Sequence, residues 1–173
     1  EGPDRQGLAG SFRKLWTLDE PARRAAIASA AEWAGSRADT DPAAGWVDAL
    51  ASRYPGDIGV LAPLLLNVVE LAPGEAMYLP AGELHSYLEG VGIEIMANSD
   101  NVLRGGLTSK HVDVQDLVAT LGFCSGPAER LRPRSVGPAE ARYDTPAEEF
   151  SLSVLRPERA RWHASGGKSR RRR

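Results

Sequence analysis

YLPAGELHSYLEGVGIEIMANSDNVLRGGLTSKHVDV, residues 78–114, decides how the chain is read. APGEA before it, and PAGE and GVG within it, are turn signals. Between them MYLP, LHSYL and GIEIMANS read as short strands. Alternation along LHSYL puts His85 and Tyr87 on one face and Leu84, Ser86 and Leu88 on the other. A histidine and a tyrosine directed into a barrel interior make a polar pocket wall. On spacing alone the simpler reading of His85, a buried and hydrogen-bonded histidine, comes first, because one histidine is not a metal site.

GIEIMANS places Glu94 between apolar neighbours, with Ile93, Ile95 and Ala97 on the opposite face. A carboxylate held in an apolar strand tends to stay protonated, which suits proton transfer. The alternative is a charge facing solvent from an exposed sheet. VLRGGLTSK then supplies Arg104 and Lys110 around two glycines. Glycine permits close backbone approach, arginine forks onto phosphate and lysine adds a point charge. The pattern is that of an anion clamp, or else of two solvated cations on a loop. It lacks the GxxxxGK[ST] order of a Walker A loop.

Outward from this stretch the texture changes. Residues 12–53 read as helical. Asp19 is an N-cap candidate, Pro21 lies in the first turn, and ARRAAIASAAEWAG runs to Gly35 with Ala26, Ile27, Ala30 and Trp33 roughly on one face. A second helix spans about 41–54, with Trp46, Leu50 and Tyr54 on one stripe. Residues 57–71 form a dense apolar run in which NVVEL reads as a buried strand, while Leu61 to Leu66 could instead be helical. VDVQDLVATLGF reads as a short helix near 113–122, capped by Asp113 and closed by Gly122. Residues 124–147 read as an extended loop, and EEFSLSVLR as a strand with Phe150, Leu152 and Val154 on one face.

The fold class expected is α+β, a helical hairpin region followed by short strands, which the family resemblance described below makes a partial antiparallel β jelly roll. The expected division is 1–56 helical, 57–157 partial barrel, and 158–173 a disordered basic tail. With 173 residues the chain suffices for one ordinary domain. No apolar run approaches the roughly 20 residues of a membrane helix, and EGPDRQGLAG lacks the apolar segment of a secretory signal. The chain lacks an initiator Met, so residue 1 is read as other than the natural start. Lys168 and Arg170–Arg173 supply five positive charges. Removing them from the net −2 leaves −7 on the remainder, a poor match for broad nucleic-acid binding. The lone Cys124 excludes an internal disulfide, fits a reducing cytoplasm, and reads as a semi-buried thiol rather than a nucleophile.

YLPAGELHSYLEG followed by GIEIMANSDNVLRGGLTSKHVDV resembles the signature region of type I phosphomannose isomerases, a cupin family. The likeness is strong over about 57–123, with several short motifs in order. It implies a portion of such an enzyme lacking the first cupin: an aldose–ketose isomerase interconverting mannose 6-phosphate and fructose 6-phosphate by metal-assisted proton transfer. By resemblance His85, in LHSYL where the family has PHAYL, is a zinc ligand. Glu94 and Arg104 are the catalytic candidates, and Tyr87 and Lys110 the substrate-binding ones. Ser109 replaces the usual proline. No QxH motif, the source of two other family zinc ligands, occurs here, and the remaining histidines are His111 and His163. The resemblance further implies a cytoplasmic protein acting on a small sugar phosphate, without nucleic-acid or membrane partners. The competing expectations are a metal-independent sugar-phosphate-binding module and an inactive truncated fragment.

Overall fold

The computed structural model describes residues 3–99 and 102–156. The expected basic tail, with His163, lies outside the described residues.

Three helices open the chain: α1 (Pro3–Trp16), α2 (Glu20–Gly35) and α3 (Pro42–Arg53). Their starts follow local chemistry. Asp19 accepts a hydrogen bond from the Ala22 N–H at 2.9 Å, and Asp41 one from the Ala43 N–H at 2.9 Å, each followed by a proline in the first turn. An aspartate cap satisfies a donor that the helix leaves orphaned. Helix α1 begins well before Phe12. Gly7 and Gly10 do not break it, because Phe12 and Trp16 stack at 3.8 Å and are buried, so packing outweighs propensity.

Residues Ile58–Leu64 form a 3₁₀ helix, with the Asp57 carboxylate accepting from the Gly59 N–H at 2.7 Å. Helix α4 (Val114–Thr120) is capped by Asp113, as its sequence indicates. One apolar cluster joins these elements: Phe12, Trp16, Ile27, Leu50, Ile58, Val60, Leu61, Leu117 and Val118. A satellite of Ala34, Ala44 and Val47 seals α2 against α3. On α3 the most buried positions are therefore Ala44, Val47 and Leu50, one step round from the expected Trp46–Leu50–Tyr54 stripe.

The β structure departs from expectation. NVVEL is neither a strand nor buried, and MYLP, LHSYL and GIEIMANS carry no ladder. A strand needs a partner for its N–H and C=O groups and for its cross-strand side-chain pairs. Among the described residues, the only β pairing of 67–112 is the isolated bridge Ala76–Leu131. Conversely, the expected loop 124–147 holds a hairpin. Strand β1 (Arg134–Gly137) pairs antiparallel with β2 (Glu140–Arg142) around Pro138 and Ala139, with an irregularity between Ser135 and Gly137. Its polar composition hid it. Arg134 and Asp144 meet at 2.7 Å, and that ion pair lowers the Asp144 pKa and raises that of Arg134. Strand β3 (Ser153–Leu155) pairs with β2, inside the expected EEFSLSVLR strand but shorter. The architecture is mixed: a helical core with a three-stranded antiparallel sheet. No helix among the described residues is long and apolar enough to cross a membrane.

Candidate functional site

The PAGE turn sets the position of LHSYL. Gly82 adopts a left-handed φ of +86°, and its carbonyl accepts from the Gly122 N–H at 3.0 Å. A Cβ at Gly82 would lie 2.9 Å from the Thr120 carbonyl oxygen, so only glycine lets the turn dock on the end of α4. Leu84 and Leu88 then pack against the core cluster. His85 and Tyr87 project from the other side, their rings 6.0 Å apart and near perpendicular. The alternation expected from the sequence is present, although the ladder is not.

Three candidate residues meet here. The Tyr87 hydroxyl donates to Glu94 Oε1 at 2.8 Å. Partial burial of the hydroxyl, then this hydrogen bond and the nearby carboxylate charge, raise the Tyr87 pKa above the ordinary phenol value. His85 Nδ1 lies 2.9 Å from the Glu83 carbonyl oxygen. A carbonyl only accepts, so Nδ1 donates this hydrogen bond, and Nε2 is the ring nitrogen it leaves unengaged.

The expected environment of these groups is corrected. Tyr87 is 71% exposed, and His85 and Glu94 are exposed as well. They form neither the inner wall of a barrel nor an apolar strand's buried carboxylate, because no second sheet lies over them among the described residues. Cys124 is likewise exposed rather than semi-buried, its thiol 3.6 Å from the Gly122 carbonyl oxygen.

The second group is the RGGLTSK loop, residues 104–110. Arg104 and Lys110 are exposed at its two ends. Between them the backbone is tightly held. The Trp16 indole N–H donates to the Gly105 carbonyl at 2.6 Å, and the Thr108 N–H donates to Asp57 Oδ2 at 3.2 Å. Gly106 has φ +136°, and a Cβ there would meet Gly59 Cα at 2.9 Å. Leu107 follows with φ +54°, a left-handed conformation that a leucine rarely adopts. The glycines therefore do allow close approach, to the 57–59 turn. Among the described residues no hydrogen bond or ion pair joins this loop to the His85–Tyr87–Glu94 group.

Sequence reasoning passed over Trp16 and Asp57. The Asp-x-Gly turn at 57–59 is a local signal for a carboxylate that binds its own backbone. Nothing local marks Trp16, whose partner is 89 positions away.

Zinc requires several converging donors. Among the described residues no group of three or more His, Cys, Asp or Glu side chains is placed to hold a metal ion. The described histidines are His85 and His111, and neither belongs to such a group, so the described residues do not make up a zinc site.

No protein-family model matches the chain. It is 41% identical over 157 residues to mannose-6-phosphate isomerase of Escherichia coli (strain K12), a match covering 88% of the chain and 39% of that protein. It is 47% identical over 105 residues to mannose-6-phosphate isomerase 1 of Arabidopsis thaliana, covering 61% of the chain and 24% of the relative. The apo crystal structure of mannose 6-phosphate isomerase from Salmonella typhimurium superposes with a TM-score of 0.80 at 38% identity, over 87% of the chain and 39% of that structure. The chain thus spans about two fifths of the length of the bacterial relatives it matches.

Proposed function

From its homology with mannose-6-phosphate isomerases over 88% of its length, we propose that the chain is part of an enzyme interconverting mannose 6-phosphate and fructose 6-phosphate. The observation that carries this reading is the Tyr87–Glu94 hydrogen bond, beside the His85 ring, on the stretch that resembles the family's signature. Glu94 takes the proton from C2 of the open-chain aldose, giving an enediol, and returns it to C1 as the O2 hydroxyl proton passes to O1, leaving the ketose. Tyr87 holds the Glu94 carboxylate in place. Arg104 stabilises the negative charge that develops on the sugar oxygens, and Lys110 attracts the phosphate.

His85 Nε2 is proposed as one zinc donor, with the remaining donors lying beyond the described residues. No step is assigned to the metal. The stretch 67–112 is proposed to form jelly-roll strands where partner strands are present. The division into a 1–56 helical region, a 57–157 partial cupin and a 158–173 tail stays a proposal, as does a cytoplasmic setting.

A chimera in which this stretch replaces its counterpart in the Escherichia coli enzyme tests the reading. Glu94→Gln should lower kcat about 10²–10⁴-fold in a coupled isomerase assay. Turnover close to the parent chimera sinks the proton-transfer role. A second reading, a metal-independent sugar-phosphate binder, is favoured by the anchored RGGLTSK loop, which needs no metal donor. Binding of fructose 6-phosphate by the 173-residue chain, equal with and without zinc, supports that reading.

A further inference from the structure

We infer that Trp16 and Asp57 are positioning residues for sugar-phosphate binding, acting through the backbone of the Arg104–Lys110 loop. The inference rests on the reading of Arg104 and Lys110 as the clamp. Its grounds are geometric. The loop carries its two cations at the ends and five residues between them, so the backbone path sets their separation and direction. Three independent contacts fix that path. Trp16, on α1, holds the Gly105 carbonyl at 2.6 Å. Asp57 divides its two oxygens, Oδ1 accepting from Gly59 at 2.7 Å and Oδ2 from Thr108 at 3.2 Å. Gly59 and Gly106 lie in backbone contact, where a Cβ on Gly59 would meet Leu107 N at 3.0 Å.

Such tethering has a purpose beyond stability. An untethered glycine pair would let Arg104 and Lys110 explore many separations, and ordering them on ligand binding would cost conformational entropy. Leu107 at φ +54° stores strain that only surrounding contacts maintain. Its side chain packs against the core, so the loop is held from below by apolar contact and from the sides by Trp16 and Asp57. The helical region thereby gains a role at the site: α1 supplies one tether directly.

The test uses the 173-residue chain with Trp16→Phe and Asp57→Asn. Trp16→Phe keeps an aromatic ring against Phe12 and removes the indole donor together with part of the ring's buried area. Asp57→Asn retains one acceptor oxygen for Gly59. Isothermal titration with fructose 6-phosphate should show each variant binding about tenfold more weakly, at little change in melting temperature. Amide hydrogen exchange at Gly106, Leu107 and Thr108 should quicken in both. Arg104→Ala should remove binding without quickening that exchange. Variants that bind like wild type while Arg104→Ala does not overturn the positioning role. A wild-type chain that binds no fructose 6-phosphate overturns the clamp reading. Exchange at 106–108 unchanged in both variants overturns the tethering itself.

Discussion

Residues 19–64 and 67–112 are similar in apolar content and opposite in how they use it. In the first segment the backbone satisfies itself within helices, so each apolar side chain needs only a neighbouring helix to be buried. In the second the backbone has almost no partner among the described residues, and Val91, Ile93, Met96 and Val102 lie open to solvent. The side chains of this segment that reach the helical core are Leu84, Leu88, Leu103, Leu107 and Val112. A helix is complete with its own residues; a strand is half of a structure whose other half lies elsewhere. The coverage of about two fifths of the bacterial relatives gives this contrast its context.

Hydrogen exchange should show the contrast most strongly. Amides of α2 and α3 should exchange on the order of 10³-fold more slowly than those of residues 84–98, because buried helical hydrogen bonds open only with larger unfolding. Uniform protection through 84–98 would mean that the segment has found strand partners, and would break the comparison.

The same contrast explains what was legible in the sequence. Asp19, Asp41 and Asp113 announce their helices because a cap and its helix lie within four residues. The face pairing of His85 with Tyr87 was legible because period-two alternation is a property of the chain alone. Their exposure was not, since it depends on what lies opposite. The β1–β2 hairpin escaped because it is held by backbone register and by the Arg134–Asp144 pair rather than by apolar alternation. The loop tethers escaped for another reason. The Thr108–Asp57 and Trp16–Gly105 bonds join residues 51 and 89 positions apart, which no local pattern reveals.

Single substitutions sharpen the contrast at a smaller scale. Leu117 is 2% exposed, whereas Ile93 is 85% exposed. Leu117→Ala should destabilise the chain by about 2–5 kcal/mol, since it loses buried surface and leaves a cavity. Ile93→Ala should change stability by less than about 0.5 kcal/mol. Urea unfolding of both variants gives the two values. A large loss for Ile93→Ala would show that the second segment is packed in solution.

The smallest effect lies within the exposed segment, at the one place where it organises its own side chains. The Tyr87 pKa is raised by partial burial and by Glu94. A phenol with a raised folded-state value contributes stability that is fully present below its unfolded pKa and is lost as pH rises through the folded one. Ultraviolet titration of the phenols should therefore find Tyr87 ionising late, with the loss of stability confined to alkaline pH. Glu94→Gln removes the negative charge and weakens the acceptor, so Tyr87 should ionise at a lower pH than in the wild-type chain. Burial remains, so the value should not fall fully to that of a free phenol. If Glu94→Gln leaves the Tyr87 titration where it was, the hydrogen bond does not persist in solution. Residues 87–94 would then be as unorganised in their side chains as in their backbone.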